Sequence, residues 1–285
     1  MHQFLYKIML LVFSIFSINI SQAQTVSCVN IKEVDKNIKD CLKIYNSSEI
    51  LIAFDIDLTL TIPTHKAVQI PNIIKNQHSF KKITENLTSI QQDLMITLAT
   101  KLIAQKLIEP DSCTILQSLQ ESGIKIIAFS AALTGSLANI KRLEEWRYIT
   151  LKNLGIDFSN SFPHIDNTIF KNIPPYLGNY PVFYKGILSA NGRTKNSSKG
   201  DVLVSFLEKS KLIPKMIILV DDTKQNIDDV EDSLKLYNSQ INFLGLEYLA
   251  GKFYTDGEIS EEDFINFWTN CANKAQDISS LKENE

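Results

Sequence analysis

The chain has 285 residues, of which 44% are hydrophobic and 21% are charged. These values are typical of one or two globular domains, and they exclude a small disulfide scaffold, a disordered chain and a protein with many membrane spans. Its 29 basic and 32 acidic residues give a formal net charge of −3, so no basic field is present to hold a nucleic-acid polymer.

The first 23 residues have the features of a cleaved signal peptide. Lys7 precedes an apolar run over 8–20, and Ser21 and Ala23 place small residues at positions −3 and −1 of a cleavage site. The run is shorter than the roughly 20 residues that span a bilayer. We therefore expect a secreted or periplasmic mature chain over 24–285 that is free of the membrane. An uncleaved anchor or a buried helix is the alternative.

Four cysteines remain after this cleavage. An even number of cysteines in an exported chain favours disulfides, although the sequence does not choose among the three pairings. A zinc site is disfavoured because no two cysteines have the spacing of a metal half-site. Buried free cysteines are the remaining alternative. The residues are Cys28, Cys41, Cys113 and Cys271.

Hydrophobic periodicity predicts alternating strands and helices along the mature chain. Continuous apolar runs, typical of strands covered on both faces, lie at 49–54, 124–129, 216–220 and 241–246. Helical spacing is found at 31–45, 111–121, 136–154, 199–209 and 223–237. This alternation predicts an α/β fold with a doubly wound parallel sheet. A last helix is expected over 261–272, and the last dozen residues are expected to be frayed.

Two longer segments interrupt this alternation. Segment 62–110 is polar at first and then helical, as an inserted cap would be. Segment 158–198 is rich in Pro, Gly, Asn and Tyr, which predicts a β-hairpin insertion. Both leave near the carboxyl ends of strands, where open α/β sheets bind ligands. We expect the cap to lie over the strand ends that carry Asp55 and Ser130.

Polar side chains follow three of the predicted strands and open one helix. Any one of them alone would be an ordinary turn residue or helix cap. Together they gather acids, hydroxyls and a lysine near one edge of the sheet. In chain order they are Asp55, Asp57, Thr59, Ser130, Lys199, Asp221 and Asp222.

These motifs resemble those of the haloacid dehalogenase-like superfamily, in its phosphatase branch. The match consists of D-x-D-x-T at 55–59, a serine after the next strand, a lysine before the third and an acidic pair after it, and it covers 49–246. Four motifs in order are more specific than any one of them. The long insertions and the expected export look like the secreted acid phosphatases of this superfamily. The resemblance implies a Rossmann-like core and a phosphatase acting on a small phosphomonoester.

The resemblance also implies roles for the matching residues. Asp55 would be the nucleophile that forms an aspartyl-phosphate. Asp57 would protonate the leaving oxygen and then take a proton from water. Ser130, Lys199 and Thr59 would bind the phosphoryl oxygens.

The implied cofactor is Mg²⁺, which prefers oxygen ligands. Asp55, the carbonyl of Asp57 and the acidic pair Asp221 and Asp222 would hold it. We favour Asp222 as the direct ligand and place Asp221 behind it.

Further candidates have two interpretations each. Lys195 competes with Lys199, which is favoured because it begins a helix. Asn226 and Asp228 would support the metal or cap a helix. Three candidate substrate contacts lie within or near the insertions, and a surface role is favoured for each: Arg142, Arg147 and Tyr176.

Two other functions fit the same pattern. A binding protein would keep this fold without turnover, but it would not need an acid at Asp57. A phosphotransferase or phosphomutase would use the same intermediate, but export disfavours it because phosphorylated metabolites are mainly intracellular. The sequence gives neither the substrate nor the oligomeric state.

Overall fold

A mostly parallel eight-stranded sheet forms the centre of this computed structural model, which describes residues 24–100, 102–192, 194 and 197–283. Within that part of the chain the strands are Gln24–Cys28 (β1), Ile50–Phe54 (β2), Thr61–Pro63 (β3), Gln105–Leu107 (β4), Lys125–Ser130 (β5), Thr168–Ile169 (β6), Val182–Tyr184 (β7), Ile187–Ser189 (β8), Met216–Asp221 (β9) and Asn242–Tyr248 (β10). The sheet order is β1-β10-β9-β2-β5-β8-β7-β6, and β3 pairs with β4 separately.

Helices cover the sheet, and three of the described ones lie in segment 62–110, which is called the cap below. The described α-helices are Ile31–Leu42 (α1), Ile70–Lys75 (α2), Gln77–Thr84 (α3), Ser89–Thr100 (α4), Asp111–Glu121 (α5), Leu143–Asn153 (α6), Lys199–Ser210 (α7), Lys224–Tyr237 (α8), Ala250–Phe253 (α9) and Glu261–Glu283 (α10). None of these described helices is long and apolar enough to cross a membrane.

The central strands explain the continuous apolar runs of the sequence. Strand β2 pairs in parallel with both β5 and β9, and all five of its residues are buried. Successive side chains point to opposite faces of a strand, so Ile50, Ile52 and Phe54 join one hydrophobic core. Leu51 and Ala53 join the core on the other face. The predicted doubly wound sheet is therefore confirmed.

The hairpin in segment 158–198 extends the main sheet. Strand β8 pairs antiparallel with β7 and parallel with β5, so the hairpin continues the order of the central strands. Its turn places Lys185 and Gly186 at φ values of 48° and 79°. Two positive φ angles are the requirement of a tight hairpin turn. A side chain at Gly186 would also collide with the backbone of Phe158.

Helix α6 begins later than the sequence predicts. The expected helix over 136–154 starts only at Leu143, because a turn occupies the residues before it. Gly135 adopts φ 77°, and its carbonyl accepts a hydrogen bond from the Leu143 amide at 2.8 Å. Helical spacing in the sequence does not reveal such a turn.

Two other elements differ from the sequence predictions. Strand β1 at the sheet edge was not predicted, because its five residues contain no continuous apolar run. The expectation that the last dozen residues are frayed is wrong for 274–283, since helix α10 continues to Glu283. Ala275 and Ser279 are buried along this extension, so packing stabilises the last turns.

A third hydrophobic core joins segment 62–110 to helix α10. It contains Ala67 and Leu94 from the segment and Phe264 and Trp268 from the helix. The indole Nε1 of Trp268 donates a hydrogen bond to the Ala67 carbonyl at 3.0 Å. Helix α10 thus packs against segment 62–110 and fixes its position.

The expected disulfides are not formed. Burial raises the pKa of the Cys28 thiol to about 11, and its sulfur accepts a weak hydrogen bond from the amide of Asn37 at 3.7 Å. The cysteines serve as small apolar core residues, which was the alternative interpretation. All four are free: Cys28, Cys41, Cys113 and Cys271.

The expected signal peptide over 1–23 lies outside the described residues.

Candidate active site

The loop after β2 carries Asp55 and Asp57, and its backbone is fixed on both sides. The Asp55 amide donates to the Val220 carbonyl on β9 at 2.8 Å, and the Leu58 amide donates to the Thr61 carbonyl at 2.8 Å. Leu58 adopts φ 61°, an uncommon conformation for a residue with a branched side chain. On its other side the loop touches helix α9, where a side chain at Gly251 would collide with the Leu58 carbonyl. The two carboxylates therefore leave from a rigid turn.

Lys199 connects the ends of β2 and β9. Its side chain is fully buried, and Nζ lies 2.8 Å from Oδ1 of Asp55 and 2.7 Å from Oδ2 of Asp221. Burial alone would lower the pKa of Lys199, but attraction to Asp221 and Asp55 raises it above its ordinary value. Ser198 caps helix α7 by accepting from the Asp201 amide, which places Lys199 at the first helical position. The ammonium is thus a permanent charge in the site.

Asp221 and Asp222 have different surroundings. Asp221 is fully buried, and Lys199 contacts its Oδ2 while the Thr223 amide at 2.9 Å and the Asn226 amide at 3.0 Å donate to its Oδ1. Asp222 accepts one bond, from Thr223 Oγ1 at 3.3 Å, and lines the cleft. Burial, with repulsion from Asp221, raises the pKa of Asp222 to about 6. The carboxylate oxygens of Asp222 are therefore more accessible than those of Asp221.

Asp57 is held from two directions. Nη1 of Arg147 lies 3.0 Å from its Oδ1, and Ser130 Oγ donates to its Oδ2 at 3.2 Å. Ser130 itself accepts from the Ala132 amide at 3.1 Å. Arg147 is 3% exposed, so the surface role that the sequence favoured for it is wrong. This partly buried ion pair fixes the orientation of the Asp57 carboxylate.

The donor set fits a divalent cation. Carboxylate oxygens of Asp55, Asp221 and Asp222 all lie within 4.8 Å of one another. Burial raises the pKa of Asp55 well above its ordinary range despite the attraction of Lys199, and repulsion from Asp221 adds to the rise. The described residues bring four carboxylates to this site, and Lys199 and Arg147 contact three of them. A hard cation with oxygen ligands would neutralise the remaining charge.

The site opens into a cleft of about 330 Å³ between the sheet edge and the inserted segment. The sheet side supplies Asp55, Asp57, Ser130 and Asp222. Helix α4 of segment 62–110 supplies the opposite side, with Asp93, Ile96 and Thr97.

The remaining described candidates do not line the cleft. Thr59 is buried, and its hydroxyl finds no hydrogen-bond partner among the described residues. Asp228 pairs with Lys224 at 2.7 Å on an exposed face. Arg142 binds Glu144 at 3.0 Å. Lys195 lies outside the described residues.

Two residues of the site were missed by sequence reasoning. Arg147 was set aside as a surface residue, and Asp93 was not considered. Tyr176, also expected at the surface, donates its hydroxyl to Oδ2 of Asp93 at 2.5 Å. Each of these contacts joins residues more than 80 positions apart, so no local spacing indicates them.

The doubly wound sheet, with this acidic cluster at the carboxyl ends of its central strands, defines an α/β protein with a candidate metal-binding active site. Residues 27–267 match the model of a family described as "Protein of unknown function (DUF2608)". The chain belongs to this family.

Similar proteins come from Rickettsia and Legionella. An uncharacterized protein of Rickettsia bellii (strain RML369-C) is 27% identical over 99% of this chain and 92% of its own length. Uncharacterized protein RP295 of Rickettsia prowazekii (strain Madrid E) is 32% identical over 73% of this chain and 70% of its own. Among solved structures, the HAD domain of effector protein Lem4 from Legionella pneumophila aligns with a TM-score of 0.36 and 13% identity over 80% of this chain and 98% of that one.

Proposed function

We propose that this protein is an exported, Mg²⁺-dependent phosphatase that hydrolyses a small phosphomonoester through an aspartyl-phosphate. The observation that carries the proposal is the pairing of Asp55 and Asp57 in one cleft, each with its own buried cation. Lys199 binds the first carboxylate and Arg147 binds the second. A nucleophile and an acid/base group in different environments are what covalent phosphoryl transfer requires.

In the first half-reaction, a carboxylate oxygen of Asp55 attacks phosphorus and the bond to the leaving oxygen breaks. Lys199 occupies Oδ1 of Asp55 at 2.8 Å, so Oδ2 is the oxygen that would form the new bond. Protonated Asp57 gives its proton to the leaving oxygen, which departs as an alcohol. Ser130 Oγ donates to Asp57 in the structure, and it would turn to donate to a phosphoryl oxygen when substrate binds.

In the second half-reaction, water attacks the phosphorus of the aspartyl-phosphate. Asp57 takes a proton from this water, and the bond between phosphorus and the Asp55 oxygen breaks to release inorganic phosphate. Arg147 keeps the Asp57 carboxylate directed into the cleft during both steps. Lys199 balances the charge of the phosphoryl group next to Asp55.

Asp55, the Asp57 carbonyl and Asp222 would hold Mg²⁺. The ion would supply charge neutralisation for the transferring phosphoryl group. Asp221 would not bind the ion directly, because both of its oxygens already accept bonds from Lys199, Thr223 and Asn226.

Export is proposed from the leader over 1–23. Strand β1 begins at Gln24 and pairs along β10, so cleavage after Ala23 would leave this strand intact. N-terminal sequencing of the protein recovered from the periplasm or medium should find Gln24 first. A retained Met1, or a lipid on Cys28, would contradict this expectation; the burial of Cys28 already disfavours such a lipid.

The phosphatase proposal is tested by a substrate screen with the mature chain. p-Nitrophenyl phosphate, sugar phosphates, nucleotides and phosphopeptides are each offered after chelation, with and without added Mg²⁺. We expect hydrolysis only when the metal is present. We expect small monoesters to be preferred, since the cleft of about 330 Å³ limits access. Absence of metal-dependent hydrolysis across the panel would overturn the proposal and favour a binding protein that keeps the fold.

A further inference from the structure

The cap places one carboxylate opposite the proposed phosphate site. Asp93 on helix α4 lines the cleft that Asp55 and Asp57 line from the sheet. Its described neighbours on the cap side are Ile96 and Thr97, and neither carries a charge. Among the described cap residues that line the cleft, Asp93 is therefore the one charged group a substrate would meet beyond its phosphate.

Asp93 is held in place by the loop before the β7–β8 hairpin. Tyr176 donates its hydroxyl to Oδ2 at 2.5 Å, and burial together with this bond raises the pKa of Tyr176, which keeps the phenol a donor. The Tyr176 carbonyl in turn accepts from the Asn191 amide at 2.9 Å, and a side chain at Gly192 would crowd its ring. The aromatic side chain thus has a fixed position.

The second oxygen of Asp93 has no partner within the described structure. Oδ2 carries the bond from Tyr176, while no described lysine or arginine pairs with the carboxylate and no described donor reaches Oδ1. A carboxylate oxygen that faces a cleft without a cation attracts hydrogen-bond donors and repels anions. This is a different environment from that of Asp55 or Asp57, each of which has a cation in contact.

We propose that Asp93, positioned by Tyr176, selects phosphomonoesters whose leaving group carries an ammonium or hydroxyl donor and rejects those whose leaving group is anionic. The inference rests on the proposed phosphatase function and adds the substrate class to it. A hydrogen bond to a charged group and the loss of a like-charge repulsion together correspond to roughly ten- to hundredfold in kcat/KM.

The test compares three small substrates on the mature, Mg²⁺-loaded protein. Phosphoethanolamine has a cationic leaving group, phosphoglycolate has an anionic one, and p-nitrophenyl phosphate reports whether the protein is a phosphatase. We expect the wild type to favour phosphoethanolamine over phosphoglycolate in kcat/KM. Asp93→Asn should lower this ratio by roughly ten- to hundredfold, because the amide keeps the bond from Tyr176 but lacks the charge.

Two further variants separate selection from a structural role. Tyr176→Phe removes the positioning bond and should lower the ratio less than Asp93→Asn does. Asp232→Asn, at an acid whose side chain is 77% exposed, is the matched control and should leave the ratio unchanged. A merely structural Asp93 would show a lower melting temperature in Asp93→Asn with an unchanged ratio, which overturns the inference.

The outcomes distinguish the two proposals. If the wild type hydrolyses no substrate, including p-nitrophenyl phosphate, the phosphatase proposal fails and this inference fails with it. If p-nitrophenyl phosphate is hydrolysed but the wild type does not favour the cationic substrate, or Asp93→Asn keeps the ratio, only the inference about Asp93 fails.

Discussion

The sheet and the cap face each other across one cleft, but they hold their charges differently. On the sheet side, Lys199 is fully buried and contacts Asp55 and Asp221 together, so these three charges form one connected network. On the cap side, Asp93 has a single described partner, the neutral Tyr176. The sheet side therefore has groups fixed for chemistry, whereas the cap side has a group that a substrate can still contact. Changes on the sheet side should affect turnover most, and changes in the cap should affect stability and selection.

The largest effect is expected from Asp55→Asn. The amide keeps the shape of the side chain but cannot form the phosphoenzyme, so turnover of p-nitrophenyl phosphate should be abolished. Steady-state rates and trapping of the phosphorylated protein measure this directly. Asp232→Asn is the control for loss of an exposed acid that does not line the cleft. Undiminished metal-dependent activity in Asp55→Asn would rule out the aspartyl-phosphate mechanism.

Asp57→Asn should lower turnover by on the order of 10² to 10⁴-fold, the usual contribution of general acid/base catalysis. Mg²⁺ affinity should be largely retained, because the proposed ligand is the backbone carbonyl. p-Nitrophenolate needs little acid assistance to leave, so phosphoenzyme should still form. Stopped-flow measurements should then show a burst of p-nitrophenolate followed by slow turnover. Equal loss in the burst and in the steady state would argue against a separate role for Asp57 in hydrolysis of the intermediate.

The strand-end residues of the sheet side could be predicted from the sequence, whereas Arg147 and the cap side could not. Asp55, Ser130 and Asp221 each follow or end a continuous apolar strand, so the parallel sheet brings them together whatever the loops do. Arg147 gave no such signal, because its position in helix α6 says nothing about an acid 90 residues earlier. Asp93 depends on packing of the cap against helix α10 and on the hairpin, which are long-range contacts without local periodicity.

Trp268→Ala tests whether the cap is a separately stabilised part of the structure. The indole is 1% exposed in the third core, so its removal should cost about 3–5 kcal/mol of unfolding free energy. Denaturant unfolding measures this loss. Ile265→Ala on the same helix, where the side chain is 37% exposed, should change stability by less than about 1 kcal/mol.

The carboxylate site should respond to Trp268→Ala differently from the cap. Since Trp268 contacts the inserted segment and not the carboxylates, Mg²⁺ affinity of the folded Trp268→Ala protein should stay close to that of the wild type. Limited proteolysis should cleave first in segment 62–110. Loss of metal binding at conditions where the protein is still folded would show that the cap and the site are one cooperative unit.

The smallest effect is the pH dependence of Mg²⁺ binding. Burial and Asp221 raise the pKa of Asp222 from 3.8 to about 6, and a ligand carboxylate must be ionised to bind the ion. Between about pH 7.5 and about pH 5 the ionised fraction of such a group falls roughly tenfold, so Mg²⁺ affinity should fall by about the same factor.

Folding stability without metal should change in the opposite direction. The folded protein binds a proton at Asp222 more tightly than the unfolded chain does, because its pKa is raised on folding. The contribution of this group to the unfolding free energy therefore increases as pH falls through about 6 toward the ordinary value of 3.8. Thermal unfolding at about pH 7.5 and about pH 5, with and without Mg²⁺, measures both effects: the weaker metal binding and the greater metal-free stability at the lower pH. Asp222→Asn should weaken Mg²⁺ binding and remove most of its pH dependence. A pH dependence of metal affinity that persists in Asp222→Asn would exclude Asp222 as the titrating ligand and direct attention to Asp55, whose pKa burial also raises.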